Sequence, residues 1–244
     1  APTLRELMPD PSVLRDMDVA ADRLARAART GETVGLFGDY DVDGAASCAL
    51  LVRWLRAMGI AAKVHIPDRM TEGYGPNVPA MQALAAECSL ILCLDCGTLA
   101  HEPIAAAVEA GAEVLVIDHH LGGDTLPPAL AVVNPNRQDE SGEHGALCAA
   151  GVAFLLLVAA NRTLRAQGVA GPDLMGLLDL VALATVADVA PLTGLNRALV
   201  RQGLKVMARR GRPGLAALAD AARLTCAPAA YHLGYVLGPR INAA

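Results

Sequence analysis

Thr33-Val34-Gly35-Leu36-Phe37-Gly38-Asp39-Tyr40-Asp41-Val42-Asp43-Gly44 is the stretch whose reading decides the fold. Residues 33–38 form a short apolar run, which predicts a buried strand. Residues 39–44 set an acid at every other position and end on Asp-Gly, after which an apolar run at 45–58 predicts a helix. A strand, an acid-loaded turn and a helix open a βαβ unit. Outward from this stretch the order repeats: strand 62–66, helix 78–87 introduced by Asn77, strand 90–94, Ala-rich helix 101–110, strand 114–117, and a fifth strand at 130–133 before the turn-rich segment 134–145. A helical lead-in over 13–30 precedes the unit, and helical patterns near 147–166, 173–187 and 196–210 follow it, separated by Gly-Pro and Pro-Leu breaks. The expected fold class is α/β: a mostly parallel five-stranded sheet with helices on both faces, followed by a helical C-terminal part.

The 244 residues are 54% apolar and 18% charged, enough to bury a substantial core and unlike a disordered chain. A formal charge of −5 argues against a protein that coats nucleic acid by bulk electrostatics, so any phosphate recognition must be local. No positively charged leader with an apolar stretch and cleavage site is visible, and a cytoplasmic location is expected. The longest uncharged run, 145–160, contains two glycines and is shorter than the ~20 apolar residues that span a bilayer. It reads as a buried helix, with no membrane association. Most of the six cysteines sit in apolar segments, as reduced core thiols do. Cys93 and Cys96 form a CxxC without the second pair that zinc needs, and read as packing.

In an open α/β sheet, ligands bind beyond the carboxyl ends of the strands. The acids collect there: Asp39, Asp41 and Asp43 after the first strand, Asp95 after the third, and Asp118-His119-His120 after the fourth. Asp188 follows the predicted helix 177–187. Carboxylates converging on one crevice repel one another unless a cation neutralises them, and two divalent ions roughly 3.5–4 Å apart are the usual arrangement for phosphoryl chemistry. Mixed carboxylate and imidazole donors favour a transition metal such as Mn²⁺ over Mg²⁺. Each motif also has a plainer reading. Asp43 before an apolar helix can be its N-cap, and cap and ligand weigh equally for that residue taken alone. A histidine pair after a strand is as often structural as functional. An EF-hand is excluded, because the twelfth position counted from Asp39 is Leu50 rather than Glu. Four acid-bearing motifs at the ends of successive elements fit a joint metal site better than separate caps.

These residues, in this order, resemble the DHH phosphoesterase superfamily, named for its Asp-His-His triplet, and within it the RecJ branch. The resemblance is carried by GDYDVDG (38–44), IPDRMTEGYG (66–75), LDCG (94–97), VIDHH (116–120), VVNPNRQD (132–139), LDLVALATVADVAPLTGLNR (178–197) and GPRINAA (238–244). It implies a 5′-to-3′ exonuclease that releases 5′-mononucleotides from single-stranded DNA in repair and recombination, with two Mn²⁺ ions for which Mg²⁺ or Co²⁺ can substitute. The implied ligands are Asp39, Asp41, Asp43, Asp95, His119 and Asp188, with Asp95 as the bridge. Asp41, Asp95, His119 and His120 are the implied catalytic residues, and His120 contacts the scissile phosphate. Single-stranded-DNA-binding protein and a RecQ-type helicase are implied partners. Residues 1–195 would form the DHH catalytic domain, and 196–244 a helical segment that completes the core and leads to a second, DHHA1-like domain beyond Ala244. Ala45-Ala46-Ser47 departs from the Thr-Ser that usually follows the first Asp-Gly, a difference expected to touch packing rather than chemistry.

Arg197, Arg201, Lys205 and Arg209 recur every fourth residue, with no acid between Asp188 and Asp220. The stripe reads equally as a track for a DNA backbone and as a solvated face. Arg197, Arg201, Arg240, Tyr74 and His120 are the expected substrate contacts. With 3% aromatic residues, few bases can be stacked, Tyr74 and Trp54 being the candidates. Three rivals stand beside this reading. One is a DHH phosphodiesterase of short oligonucleotides or cyclic dinucleotides. Another is a manganese pyrophosphatase, which expects a histidine where Phe37 stands. The last is a noncatalytic replication scaffold, which would lose ligands that this chain keeps.

Overall fold

Parallel neighbouring strands need crossover connections, and the computed structural model, which describes residues 3–243, supplies them as helices between the first four strands and as the helix-free segment 118–130 before the fifth. The strands are β1 (Val34–Gly38), β2 (Ala62–His65), β3 (Leu90–Leu94), β4 (Glu113–Ile117) and β5 (Ala131–Val133). They lie in the order β2-β1-β3-β4-β5, every pair parallel. The chain steps outward from β1 to β2, then crosses back to place β3 on the other side of β1. This reversal opens a crevice at the carboxyl ends of β1 and β3.

The helices are α1 (Leu4–Leu7), α2 (Met17–Thr30), α3 (Val42–Ala57), α4 (Val78–Ala85), α5 (His101–Glu109), α6 (Ala149–Ala166), α7 (Leu178–Ala187), α8 (Gly194–Met207), α9 (Pro213–Ala221), α10 (Ala230–His232) and α11 (Gly238–Asn242). A π-helical turn, Leu233–Leu237, joins the last two. Alternate strand residues serve opposite layers. Leu36, Leu92, Leu115 and Ile117 share a core with α2, α3 and α6, whereas Phe37, Ile91, Cys93 and Val116 pack with α4 and α5. Both layers therefore cover the sheet, and the CxxC cysteines are buried in the second. Trp54 is fully buried, its Nε1 donating to Asn161 Oδ1 at 2.8 Å, and cannot stack a base. By length and composition α6 could cross a membrane, but 72% of it is buried between the other elements.

The structure departs from the predicted elements in informative places. Helix α3 starts at Val42 rather than Ala45, because Asp41 is its N-cap and accepts from Gly44 N at 3.0 Å. The segment predicted at 173–187 begins as a 3₁₀ turn, Met175–Leu177, before α7. Beyond residue 210, Pro213 opens a further helix, α9. Helices α7 and α8 touch so closely that a Cβ at Gly203 would lie 2.1 Å from Leu178 O. Val42, Leu183, Val200, Met207, Leu233 and Leu237 form one apolar cluster, which docks the C-terminal helices onto α3 and α7.

Candidate metal centre

Three acids sit one residue beyond the sheet, each continuing its ladder. Asp39 N donates to Leu94 O (3.2 Å), Asp95 N to Ile117 O (2.9 Å) and Asp118 N to Val133 O (3.1 Å). The first loop then folds tightly onto α3: a Cβ at Gly44 would lie 2.4 Å from Asp39 O, so this position requires glycine. Asp43 does not cap its own helix. It is buried, and its two oxygens accept from Ala149 N (2.6 Å) and Ala150 N (2.8 Å), the first turn of α6. The N-cap of α6, Cys148, supplies no side-chain bond, so Asp43 satisfies orphan N–H groups from across the fold.

Side-chain donors from these exits converge. Asp39, Asp41 and Asp95 offer ligand atoms within 4.8 Å of one another, as do Asp95, His119 and His120, and as do Asp43, His119 and Asp188. His119 stands in the middle, Nε2 lying 3.2 Å from Asp95 Oδ1 and 3.7 Å from Asp43 Oδ2, with Nδ1 3.9 Å from Asp188 Oδ2. Asp95 has a left-handed backbone (φ 63°), unusual for a non-glycine residue, and its Oδ1 is buried without a hydrogen bond. Burial, reinforced by Asp43 and Asp41, pushes its carboxyl up to about 12. Burial likewise pushes Asp43 up to about 7, against the bonds from α6, and raises Asp39 and Asp188. The His119 imidazole is pushed down by burial and so is held neutral, as a ligand must be. Buried oxygen and imidazole donors, including a carboxylate oxygen with no hydrogen bond among the described residues, fit a divalent cation, which would keep these acids ionised.

Asp118 belongs to a different arrangement. It accepts five hydrogen bonds, from Thr98 N and Oγ1, His119 N, His120 N and His120 Nδ1. Burial alone would raise it, but the bonds from His120 and Thr98 outweigh that and hold it at about 2. In return Asp118 raises His120. Tyr74 Oη lies 3.4 Å from both His120 ring nitrogens. With Pro76, Leu99 and Pro103 it lines a cavity of about 520 Å³ beside the histidine, which has no signature in the sequence.

The expected arginines are elsewhere. Arg197 and Arg201 are exposed on α8 and form no ion pair among the described residues, nor do Lys205 and Arg209. Arg240 is exposed and donates to Val236 O, while its neighbour Asn242 accepts from Val42 N at 2.9 Å, beside Asp41. Sequence reasoning also missed Asn134 and Asn136. Asn134 Nδ2 donates to Thr98 Oγ1 and to His120 O, and Asn136 Nδ2 donates to His119 O and Gly145 O. The Asn-Pro-Asn spacing after β5 was the available signal.

A parallel sheet of this order with carboxylates and a histidine pair at its switch point defines a class: residues 33–185 match the DHH family, N-terminal domain, and the chain belongs to that family. Its relatives are more specific. The single-stranded-DNA-specific exonuclease RecJ of Salmonella typhimurium is 43% identical over 241 residues, covering 95% of this chain and 42% of that protein. A crystal structure of exonuclease RecJ bound to manganese matches with a TM-score of 0.85 and 39% identity, over 98% of this chain and 58% of that one. RecJ from Thermus thermophilus in complex with Mn²⁺ matches with a TM-score of 0.80 and 37% identity, over 98% of this chain and 33% of that one. The chain thus spans less than half the length of the Salmonella relative.

Proposed function

We propose that this chain carries the catalytic centre of a RecJ-type enzyme, a metal-dependent phosphodiesterase that removes 5′-mononucleotides from single-stranded DNA in the 5′-to-3′ direction during repair and recombination. The observation that carries the reading is the buried, unbonded Oδ1 of Asp95 among further carboxylates and His119 at the β1/β3 switch point. The proposal includes a cytoplasmic setting, with single-stranded-DNA-binding protein and a RecQ-type helicase as partners. Residues 1–195 form its catalytic domain, and 196–244 complete the core.

Asp39, Asp41, Asp43, Asp95, His119 and Asp188 would hold two Mn²⁺ ions, with Asp95 between them and Mg²⁺ or Co²⁺ as substitutes. Such ions, when bound, supply activation of water and neutralise charge on the phosphate. The protein's own groups do the rest. His120, with Nδ1 bonded to Asp118, turns its other ring nitrogen to the scissile phosphate, and Asp118 favours the protonated, donating form. Tyr74 and the cavity beside it receive the terminal nucleoside. Arg197, Arg201 and Arg240 offer exposed charge to phosphates further along the strand.

The test is Mn²⁺-dependent digestion of single-stranded DNA labelled at either end, using the chain alone and joined to the C-terminal portion of the Salmonella relative. Release of mononucleotides from the 5′ end, abolished by Asp95→Ala, is expected. Cleavage restricted to di- to tetranucleotides or cyclic dinucleotides would move the chain to another branch of the family. Absence of any hydrolysis from both forms would favour the scaffold reading.

A further inference from the structure

Asn134 is fully buried, and its amide uses both hydrogens and its oxygen in hydrogen bonds. Nδ2 donates to Thr98 Oγ1 and His120 O, each at 2.8 Å, and Oδ1 accepts from Asn136 N at 2.8 Å. The reverse amide orientation would set an oxygen against the His120 carbonyl and a donor against the Asn136 N–H, so the direction of these bonds is fixed. An amide nitrogen cannot accept. Thr98 Oγ1 must therefore accept from Asn134 and send its one proton to Asp118 Oδ2, 2.7 Å away. Asp118 thus receives hydrogens on both oxygens, and Oδ1 takes the Nδ1 proton of His120 at 2.8 Å. An ionised carboxylate can only accept, so His120 donates to it through Nδ1, and the bonds from Asn134 and Thr98 hold Asp118 in the place from which it orients the ring.

Asn136 works on the neighbouring histidine. Its Nδ2 grips the carbonyl of His119 and that of Gly145 (3.1 Å), tying the strand exit to the loop before α6. Arg137 braces the same loop from behind. It is buried, and its Nη1 donates to Asp16 Oδ2 and Val132 O, each at 2.7 Å.

We infer that Asn134 and Asn136 are positioning residues with separate duties: Asn134, through Thr98 and Asp118, fixes the ring orientation of His120, and Asn136 fixes the backbone from which His119 reaches the metal donors. The inference rests on the roles given above to His119 as ligand and His120 as phosphate contact. A carboxylate or alkyl side chain at 134 lacks both donors and cannot hold Thr98 and the His120 carbonyl in place.

The experiment needs neither DNA nor turnover. Histidine-labelled, metal-free protein is read by ¹H–¹⁵N correlation for the hydrogen-bonded Nδ1–H of His120, and Mn²⁺ affinity is measured by titration under electron paramagnetic resonance. Thr98→Val removes the hydroxyl at constant volume, and Thr98→Ser restores it. A slowly exchanging, hydrogen-bonded Nδ1–H is expected in the parent and in Thr98→Ser, and its signal is expected to shift or exchange away in Thr98→Val and Asn134→Asp, where Asp118 is no longer held against the ring. Mn²⁺ affinity should change by less than about threefold in these variants, whereas Asn136→Ala should keep the Nδ1–H signal and weaken Mn²⁺ by about 10–100-fold, the range typical of groups that orient metal ligands. An identical His120 spectrum in Thr98→Val and Thr98→Ser overturns the role of Asn134. Unchanged Mn²⁺ affinity in a folded Asn136→Ala overturns that of Asn136. A parent that binds no Mn²⁺ breaks the metal reading instead, and the comparison of the His120 signal stands apart from it.

Discussion

Asp95 and Asp118 are the same residue type, each 1% exposed, one step beyond adjacent strands whose last residues, Leu94 and Ile117, are register partners. Their states are opposite. Asp118 accepts five hydrogen bonds and is held at about 2; Asp95 leaves an oxygen unbonded on a left-handed backbone and is pushed up to about 12. Burial raises both, so the difference lies in what surrounds each carboxylate: N–H and O–H donors around one, other carboxylates around the other. One strand exit is finished by the protein, and its neighbour is left for a cation to finish.

The comparison can be broken by substitution. The largest effect belongs to the finished site: Asp118→Ala strands Thr98, His119 and His120 donors and should cost about 3–5 kcal/mol in urea denaturation, as loss of one partner of a buried charged network does. Next, Mn²⁺ at a hundredfold excess over its Kd should stabilise the parent by about 2.7 kcal/mol and leave Asp95→Asn unmoved, read as a shift in Tm. In chelator the order reverses. Asp95→Asn should be more stable than the parent by about 2 kcal/mol at pH 7, because a carboxyl raised by folding costs stability above its unfolded pKa, and this gain should vanish as pH falls below about 4. An Asp95→Asn variant less stable than the parent without metal would show that the exit is not a strained ligand site.

The smallest effect comes from a control away from the crevice. Glu32 precedes β1 and pairs with Arg23; burial raises it, but the bonds from Arg23, Ser89 and Thr30 hold it at about 2. Its contribution is present above the ordinary carboxylate range and lost as pH falls through about 2. Glu32→Gln should cost about 1 kcal/mol at pH 7, allowing for partial solvent screening, and nothing near pH 2. Indifference to Mn²⁺ would separate this finished carboxylate from the open one at Asp95.

The strand exits could be read from the sequence because they are local: an apolar run ending in an acid predicts both the strand and where the acid points. What escaped was long-range. Asp43 read equally as a cap for its own helix and as a ligand because sequence shows only neighbours, while its hydrogen-bond partners, Ala149 and Ala150, lie over a hundred residues away. Asn134 and Asn136 lie in a turn-rich segment where asparagine is expected on local grounds, so the Asn-Pro-Asn spacing alone did not mark them as the hands that hold the histidines. Within the segment 196–244, expected to be helical, the separate helices after 210 had no legible bounds for a related reason. They are short, and they are held by docking onto α7 rather than by their own periodicity.

The bond between Val42 N and Asn242 Oδ1 joins the start of α3 to residues two hundred positions later. At about 5–20 residues per second, the ribosome takes about 10–40 s to cover that distance. A nascent chain therefore displays the first acid loop long before the residue that pins it exists, and the start of α3 gains this anchor only near the end of this stretch of synthesis.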